Sequence, residues 1–544
     1  MTTATLRLLL PEIMLVAMAV GIYLAGAFWN ARRAWNWLAG AALAAAAFAL
    51  ARQTDTTAAD GLLNVDALAW LGRWASLGFG VLLLLAASRP LVAGAEYVGS
   101  LLLAIAGLML VASAADLVLL FVALELISIP TYILLYLGRS DAAHQESAAK
   151  YFFLSVLSSA LLLYGFSFLC GIAGFGKAPG SHAMTALAAV QTAMREGLGG
   201  TRGQGVALTT FAKLALVLVF AGLSFRITAV PFHFYAPDVY EGNTHPNAAV
   251  LSILPKAAGF VALTRILVDA MPGLGAYAWQ LVLVISLLTM SVGNVMALWQ
   301  NDFRRLLAYS SIAQAGYMLL ALAVAMAHGS ADEWSGLGAL WFYLVAYGLA
   351  TIGAFAVAES LGAADRRIDA IGELAGLARR RPVAAAVLAI CLLSLTGVPP
   401  LAGFWGKLLV FGSALNVSGS NVAEQVVNLP SSLGQVANLP HAMRWWFLTA
   451  AVIGVLNAAI AAAYYLRVAA VLYFRTPEAT HRSEGGRGPW IAAVLCALLL
   501  IGIGAYPGPV IEKAAEAGTP QGVAPPEGWA LECPVDSPAF STNH

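Results

Sequence analysis

Charge is scarce. Of 544 residues, 10% are Asp, Glu, Lys or Arg and 60% are hydrophobic, whereas a soluble globular chain carries about 25% charged residues. So little charge cannot cover a water-facing surface, which excludes a soluble fold. The charge present is balanced: 29 Lys+Arg against 28 Asp+Glu leave +1, so no long-range field draws nucleic acid or an acidic partner. Cysteine is sparse too. Cys170, Cys391, Cys496 and Cys533 stand far apart with no CxxC pair, which excludes a Cys-ligated iron–sulfur cluster, a Cys-rich zinc site and an internal disulfide framework. No GxGxxG fingerprint follows a strand to hold NADH or flavin. No cleavable leader is expected. The first apolar run, Leu8 to Trp29, contains Pro11 and Glu12, meets Arg32-Arg33 without a small-residue cleavage site, and reads as a first span.

What is abundant is long apolar sequence. A spanning helix needs roughly 20 mainly apolar residues, and about fourteen runs qualify: near 8–29, 36–51, 74–90, 97–115, 116–138, 148–173, 207–240, 247–271, 276–299, 303–327, 335–361, 383–413, 445–474 and 489–510. The 97–138 stretch has to be cut near Asp116. The runs are continuously apolar without period-two alternation, so an all-α polytopic membrane protein is predicted and a β-barrel excluded. With the N-terminus outside, the inner connections hold Arg32, Arg33, Arg89, Arg139, Lys150, Arg304, Arg305, Arg366, Arg367, Arg379, Arg380, Arg381, Arg475, Arg482 and Arg487. The other side holds roughly half as many, including Arg52, Lys177, Arg195, Arg202 and Arg444. Both termini are therefore expected on the periplasmic side of a bacterial inner membrane. Residues 174–206 and 414–444 read as long outer loops, and the proline-rich tail after Ile511 as irregular.

An internal echo stands out. Ile227-Thr228-Ala229-Val230-Pro231 returns as Leu395-Thr396-Gly397-Val398-Pro399, each inside a run too long for one straight span. Proline removes an intrahelical hydrogen bond and clashes with the preceding turn. Two broken helices in matching places are a sequence pointer to inverted repeats, with an ion site at the break.

Ionisable groups at mid-membrane are costly, at least about 2.5–3.5 kcal/mol each, and mark function. Glu125 lies about 14 Å along its helix at 1.5 Å per residue. Arg226 precedes Pro231 by five residues, Lys256 follows Pro255, and Lys407 lies just past the second break. Lys213 is nearer a helix end and can snorkel. A buried ion pair that only fixes packing would explain Glu125 and one base. One acid with three bases, two of them beside helix breaks, points to a proton relay, because a buried lysine shifts its pKa readily and can be neutral. His233 and Asp238 follow the first break; His233 is either structural or a relay member. Lys150 fits an interface anchor or a proton-uptake residue equally. Glu12 is expected at the interface, and Arg304 and Arg305 as positive-inside anchors.

These residues carry a resemblance. Phe225-Arg226-Ile227-Thr228-Ala229-Val230-Pro231-Phe232-His233, then Pro237-Asp238-Val239-Tyr240-Glu241-Gly242, is similar to the subunit N family of the proton-pumping NADH–quinone oxidoreductase (respiratory complex I), one of its antiporter-like membrane subunits. Leu9-Leu10-Pro11-Glu12, Lys150-Tyr151-Phe152-Phe153-Leu154-Ser155, Arg305-Leu306-Leu307-Ala308-Tyr309-Ser310-Ser311-Ile312 and Gly397-Val398-Pro399-Pro400-Leu401-Ala402-Gly403-Phe404 support it, and the similarity runs from Leu8 to Leu472. The resemblance implies fourteen helices, broken at the seventh and twelfth. It implies a three-helix segment 1–96, inverted five-helix repeats over 97–271 (spans 4–8) and 276–474 (spans 9–13), and a last span with tail over 475–544. It also implies that Glu125, Lys256 and Lys407 lie on a hydrated polar axis for protons, driven by quinone chemistry in other subunits. NADH, FMN, iron–sulfur clusters and quinone are expected in those partners, with no cofactor or metal in this chain.

Two positions depart from the family. Arg226 stands where lysine is usual, and arginine stays protonated. Gln314, in Ala313-Gln314-Ala315-Gly316-Tyr317, stands where histidine is usual and cannot titrate. Lys256 is therefore expected to carry the central protonation change. A related subunit of a multisubunit sodium/proton antiporter, or of a membrane-bound hydrogenase or other non-NADH dehydrogenase, would share the lysines and breaks but lack the Pro-Asp-Val-Tyr-Glu-Gly ending. A purely structural scaffold would leave the buried charges inert.

Overall fold

Inside a bilayer every backbone N–H and C=O has to be satisfied within the protein, so continuous apolar runs become helices. The structure, a computed structural model, describes residues 3–29, 32–53, 62–87, 94–137, 142–174, 182–197, 202–271, 274–327, 335–362, 369–419, 439–476 and 486–518. Arg89, Arg139, Lys177, Arg366, Arg367, Arg482 and Cys533, most of the expected 414–444 loop and the tail from 519 lie outside these residues.

The helices run in order. They are α1 Thr3–Leu8, α2 Leu10–Gly26, α3 Arg32–Ala51, α4 Ala67–Ala86, α5 Gly94–Ser113, α6 Leu117–Tyr136, α7 Ala142–Ala173, α8 Leu187–Gly197, α9 Arg202–Ile227 and α10 Tyr235–Glu241. After these come α11 His245–Leu263, α12 Gly275–Ala297, α13 Phe303–Ala327, α14 Gly336–Leu361, α15 Leu377–Arg380, α16 Pro382–Thr396 and α17 Ala402–Gly419. The last are α18 Leu439–Phe474, α19 Arg487–Ala505 and α20 Gly508–Ala517. Among the described residues there is no strand, only three isolated bridges between connectors. Among the described residues, twelve helices are long and apolar enough to cross a membrane, and Leu10–Gly26 and Pro382–Thr396 are shorter apolar helices. All fourteen expected runs thus contain helix, though length and composition establish twelve spans. The protein is an integral, multi-pass membrane protein.

The cut expected near Asp116 is there. Asp116 caps α6, accepting from the backbone N–H of Val118 at 2.8 Å and of Leu119 at 3.2 Å, which satisfies donors that a helix start leaves open. Asp66 and Ser335 cap α4 and α14 in the same way. The expected outer loop 174–206 is more ordered than a plain excursion: it contains a 3₁₀ turn, His182–Thr185, and α8. Thr185 donates to Asp116, which pins that segment to the start of α6.

Both long runs break where expected. Helix α9 stops at Ile227 and α10 resumes at Tyr235; α16 stops at Thr396 and α17 resumes at Ala402. At the two breaks the left-handed residues are Thr228 (φ 61°) and Gly397 (φ 92°), and the cis prolines are Pro231 and Pro400. The backbone echo therefore pairs Thr228 with Gly397 and Pro231 with Pro400, one residue out of register with the sequence echo. Helix α11 lies at the centre, every one of its residues buried. The outer surface is apolar, with Phe153, Val455 and Leu456 exposed, as a lipid-facing surface requires.

Candidate functional site: a buried line of cations and hydroxyls

The first station joins α6, α7 and α9. Arg226, at the last turn of α9 before the break, reaches Glu125 on α6 at 2.8 Å. Ser159 on α7 donates to the same carboxylate oxygen at 2.6 Å. The guanidinium also donates to the Ser128 hydroxyl at 2.5 Å and the Leu124 carbonyl at 3.1 Å. Arg226 is buried, whereas 22% of the Glu125 side chain is exposed. A charged group deep in the protein is tolerated when paired and hydrogen-bonded in this way.

Lys256 forms the second station, on α11. It is fully buried, and among the described residues it has no carboxylate within ion-pair distance. Its Nζ donates to the Ser311 carbonyl at 2.6 Å and to the Ser311 hydroxyl, and lies 4.9 Å from the centre of the Tyr347 ring. The Tyr347 hydroxyl donates to Ser311 Oγ at 2.7 Å. Close approach to the first station comes through Gly259, one turn beyond Lys256: a Cβ there would lie 2.5 Å from Ile227 Cγ2 and 3.4 Å from Arg226 Cβ. Only glycine lets α11 pack that tightly on the end of α9.

Gln314 is the third station, one turn along α13 from Ser311. Tyr343 on α14 donates to its Oε1. Its Nε2 donates to the Leu395 carbonyl at 3.2 Å and to the Tyr465 hydroxyl of α18 at 3.3 Å, and Tyr465 bonds Ser310 in turn. Lys407, the fourth station on α17, donates to the same Leu395 carbonyl at 3.0 Å and to the Thr396 carbonyl at 2.8 Å, both at the end of α16. The Tyr317 ring centre lies 5.1 Å from its Nζ, and a side branch continues from Tyr317 through Asn294 to Tyr464.

Of the sequence-derived candidates, Glu125 and Arg226 meet directly, while Gln314 and Lys407 meet through one carbonyl oxygen. Lys256 bonds Ser311, which lies one turn before Gln314 on α13. Lys150 and Asp238 meet each other instead, at 3.0 Å, in a half-exposed network with Arg305 and Glu241. His233 sits in the turn after the first break, its Nδ1 without a hydrogen-bond partner, apart from this line. Lys213 is exposed, its Nζ 4.1 Å from the centre of the Tyr277 ring.

Three readings need correcting. Glu12 is buried rather than interfacial, in a bidentate pair with Arg73 at 2.7 and 2.9 Å. Arg304 is buried too: it pairs with Asp369 at 2.8 Å and donates to the Asn243 carbonyl, so it locks connectors together rather than merely facing an anionic surface. Near it Asp302, on the connector before α13, has its carboxyl pushed up by burial. Missed altogether was Arg265, buried in the π-helical turn Thr264–Ala270 after α11. It holds Asp66 at 2.5 and 2.7 Å and Asp269 at 3.5 Å. Its i,i+4 spacing to Asp269 within an apolar run was the available signal. The hydroxyl links gave none, because they come from three separate helices, α13, α14 and α18.

Fold and site together define a class: a multi-pass helical membrane protein with paired broken helices and a buried line of cations and hydroxyls. The family described as NADH:quinone oxidoreductase/Mrp antiporter, TM, matches residues 114–428. NADH-quinone oxidoreductase subunit N of Sphingopyxis alaskensis is 35% identical over 512 residues, covering 92% of this chain and 96% of that protein. A chain of respiratory complex I from Thermus thermophilus superposes with TM-score 0.71 at 30% identity, over 93% of this chain and 99% of that one. A chain of the archaeal membrane-bound sulfane sulfur reductase shares the fold at TM-score 0.74 and 21% identity, over 94% and 98%. The chain belongs to the NADH-quinone oxidoreductase subunit N family.

Proposed function

We propose that this chain is the proton-translocating membrane subunit of an NADH–quinone oxidoreductase. It carries protons while electrons pass from NADH to quinone in partner subunits that hold the FMN and iron–sulfur groups. It would sit in a bacterial inner membrane with both termini periplasmic, and its catalytic class would be that of a translocase.

The observation that carries this reading is Lys256. A full positive charge without a carboxylate is a poor structural choice deep in a membrane protein. It is a useful one where the amine alternates between charged and neutral. Serine and tyrosine hydroxyls both donate and accept, so Tyr347, Ser311, Tyr343 and Tyr465 can pass a proton between Lys256 and the region of Lys407. Gln314 aligns this path without titrating, and the Glu125–Arg226 pair sets the field beside Lys256. Lys150 and Asp238, at the inner end, are suited to collecting protons. The test is Lys256→Ala in membranes containing the intact complex, followed by proton release per NADH oxidised; an unchanged ratio in a fully assembled complex would refute the reading.

A further inference from the structure

A cavity of about 370 Å³ opens where α14 ends and where α16 and α19 begin. It has no place on the proton path. Its lining includes Arg381, Arg487, Ser360, Val383 and Trp490, and among its described lining residues there is no carboxylate. Arg379 and Arg380, both exposed, lie on the short helix just before Arg381. Two guanidinium groups from separate helices around one cavity suit a phosphate, which they can hold bidentately.

The surroundings point to a lipid rather than a free anion. Arg487, Ile491, Leu495 and Leu498 follow one face of α19 at helical spacing, and the three apolar side chains are 47%, 39% and 60% exposed. Val383 at the rim is 61% exposed. A headgroup between the arginines would thus continue into an apolar stripe down the span. Trp490 beside it is the residue type that settles at a membrane interface. Basic pockets between spans recognise anionic headgroups.

We propose that this cavity is the headgroup site of an anionic phospholipid, with one acyl chain along Ile491, Leu495 and Leu498. The inference is independent of the proton path. The test uses the assembled complex in nanodiscs of phosphatidylcholine titrated with phosphatidylglycerol. Lipid retention is read by native mass spectrometry. The paired change Arg381→Gln with Arg487→Gln is expected to weaken phosphatidylglycerol retention roughly 30-fold, while the paired lysine change keeps it within a few-fold. Equal retention in the glutamine variant overturns the proposal. So does full displacement by millimolar inorganic phosphate, which would mark a free-anion site. Should the glutamine variant fail to assemble, a phosphatidylglycerol with a photoreactive acyl chain decides on the unmodified complex. Crosslinks concentrated in residues 487–505 support the site, and crosslinks without enrichment there overturn it.

Discussion

The line of buried cations solves one problem in two ways. Arg226 is neutralised by the Glu125 carboxylate at 2.8 Å and bonded to two serines and a carbonyl. Among the described residues, Lys256 and Lys407 face carbonyls, hydroxyls and aromatic rings. The first arrangement is built for a permanent charge, since a guanidinium does not deprotonate in proteins. The second leaves an amine whose loss or gain of a proton strands no opposite charge. A region with a fixed ion pair therefore stands beside a region able to change its charge. Under the proposed function, Arg226 would set a field rather than transfer a proton.

The sharpest way to break this contrast is to exchange the two solutions. Lys256→Ala is expected to lower coupled proton transfer roughly a hundredfold, the usual scale for losing a proton-transfer group. Lys256→Arg should fail nearly as badly although it keeps the charge; normal proton release per NADH from the arginine variant would show that a neutral state is not needed. Next in size, Arg226→Ala strands Glu125 and should destabilise the chain by about 3 kcal/mol, read as loss of assembled complex on native gels and a lower Tm. Arg226→Lys should preserve most of that stability.

Gln314→Leu leaves the buried Tyr343 hydroxyl without its acceptor while the Leu395 carbonyl keeps Lys407, costs about 1–3 kcal/mol, and should slow transfer between the two lysines. Gln314→His should keep the link and add a titration near pH 6.5. A pH–rate profile identical to that of the parent would show that this station is off the path. The smallest effects belong to the breaks. Gly397→Ala forces a left-handed backbone onto a residue with a side chain, and its Cβ would stand 2.8 Å from Lys407 Cδ, so about 1–2 kcal/mol should be lost. Thr228→Gly, where Thr already occupies φ 61°, should change stability by no more than about 1 kcal/mol in the favourable direction, measured by thermal denaturation.

The spans were legible because lipid leaves few choices: apolar length, Asp116 as a stop, and prolines in overlong runs suffice. The mid-membrane charges were legible for the same reason, each standing out against an apolar background. Glu12 and Arg304 were misread because a charge near a helix end looks the same whether it meets headgroups or a buried partner; only Arg73 and Asp369, far away in sequence, distinguish the cases. The register of the repeat was off by one because the eye pairs Val-Pro with Val-Pro. The backbone instead pairs the left-handed residues, threonine in one half and glycine in the other. The hydroxyl stations were illegible, since serine and tyrosine are ordinary in any helix and become a path only when α11, α13, α14 and α18 converge.

The end of α16 has one more consequence. In an unbroken helix the carbonyls of Leu395 and Thr396 would be taken up by amides four residues later. The break releases both, and Lys407 uses them. Their partial negative charge, reinforced by the aligned peptide dipoles of α16, is a counter-charge that no change of pH can remove, unlike a carboxylate. Around Lys407 the attracting field therefore stays the same whether the amine is charged or neutral.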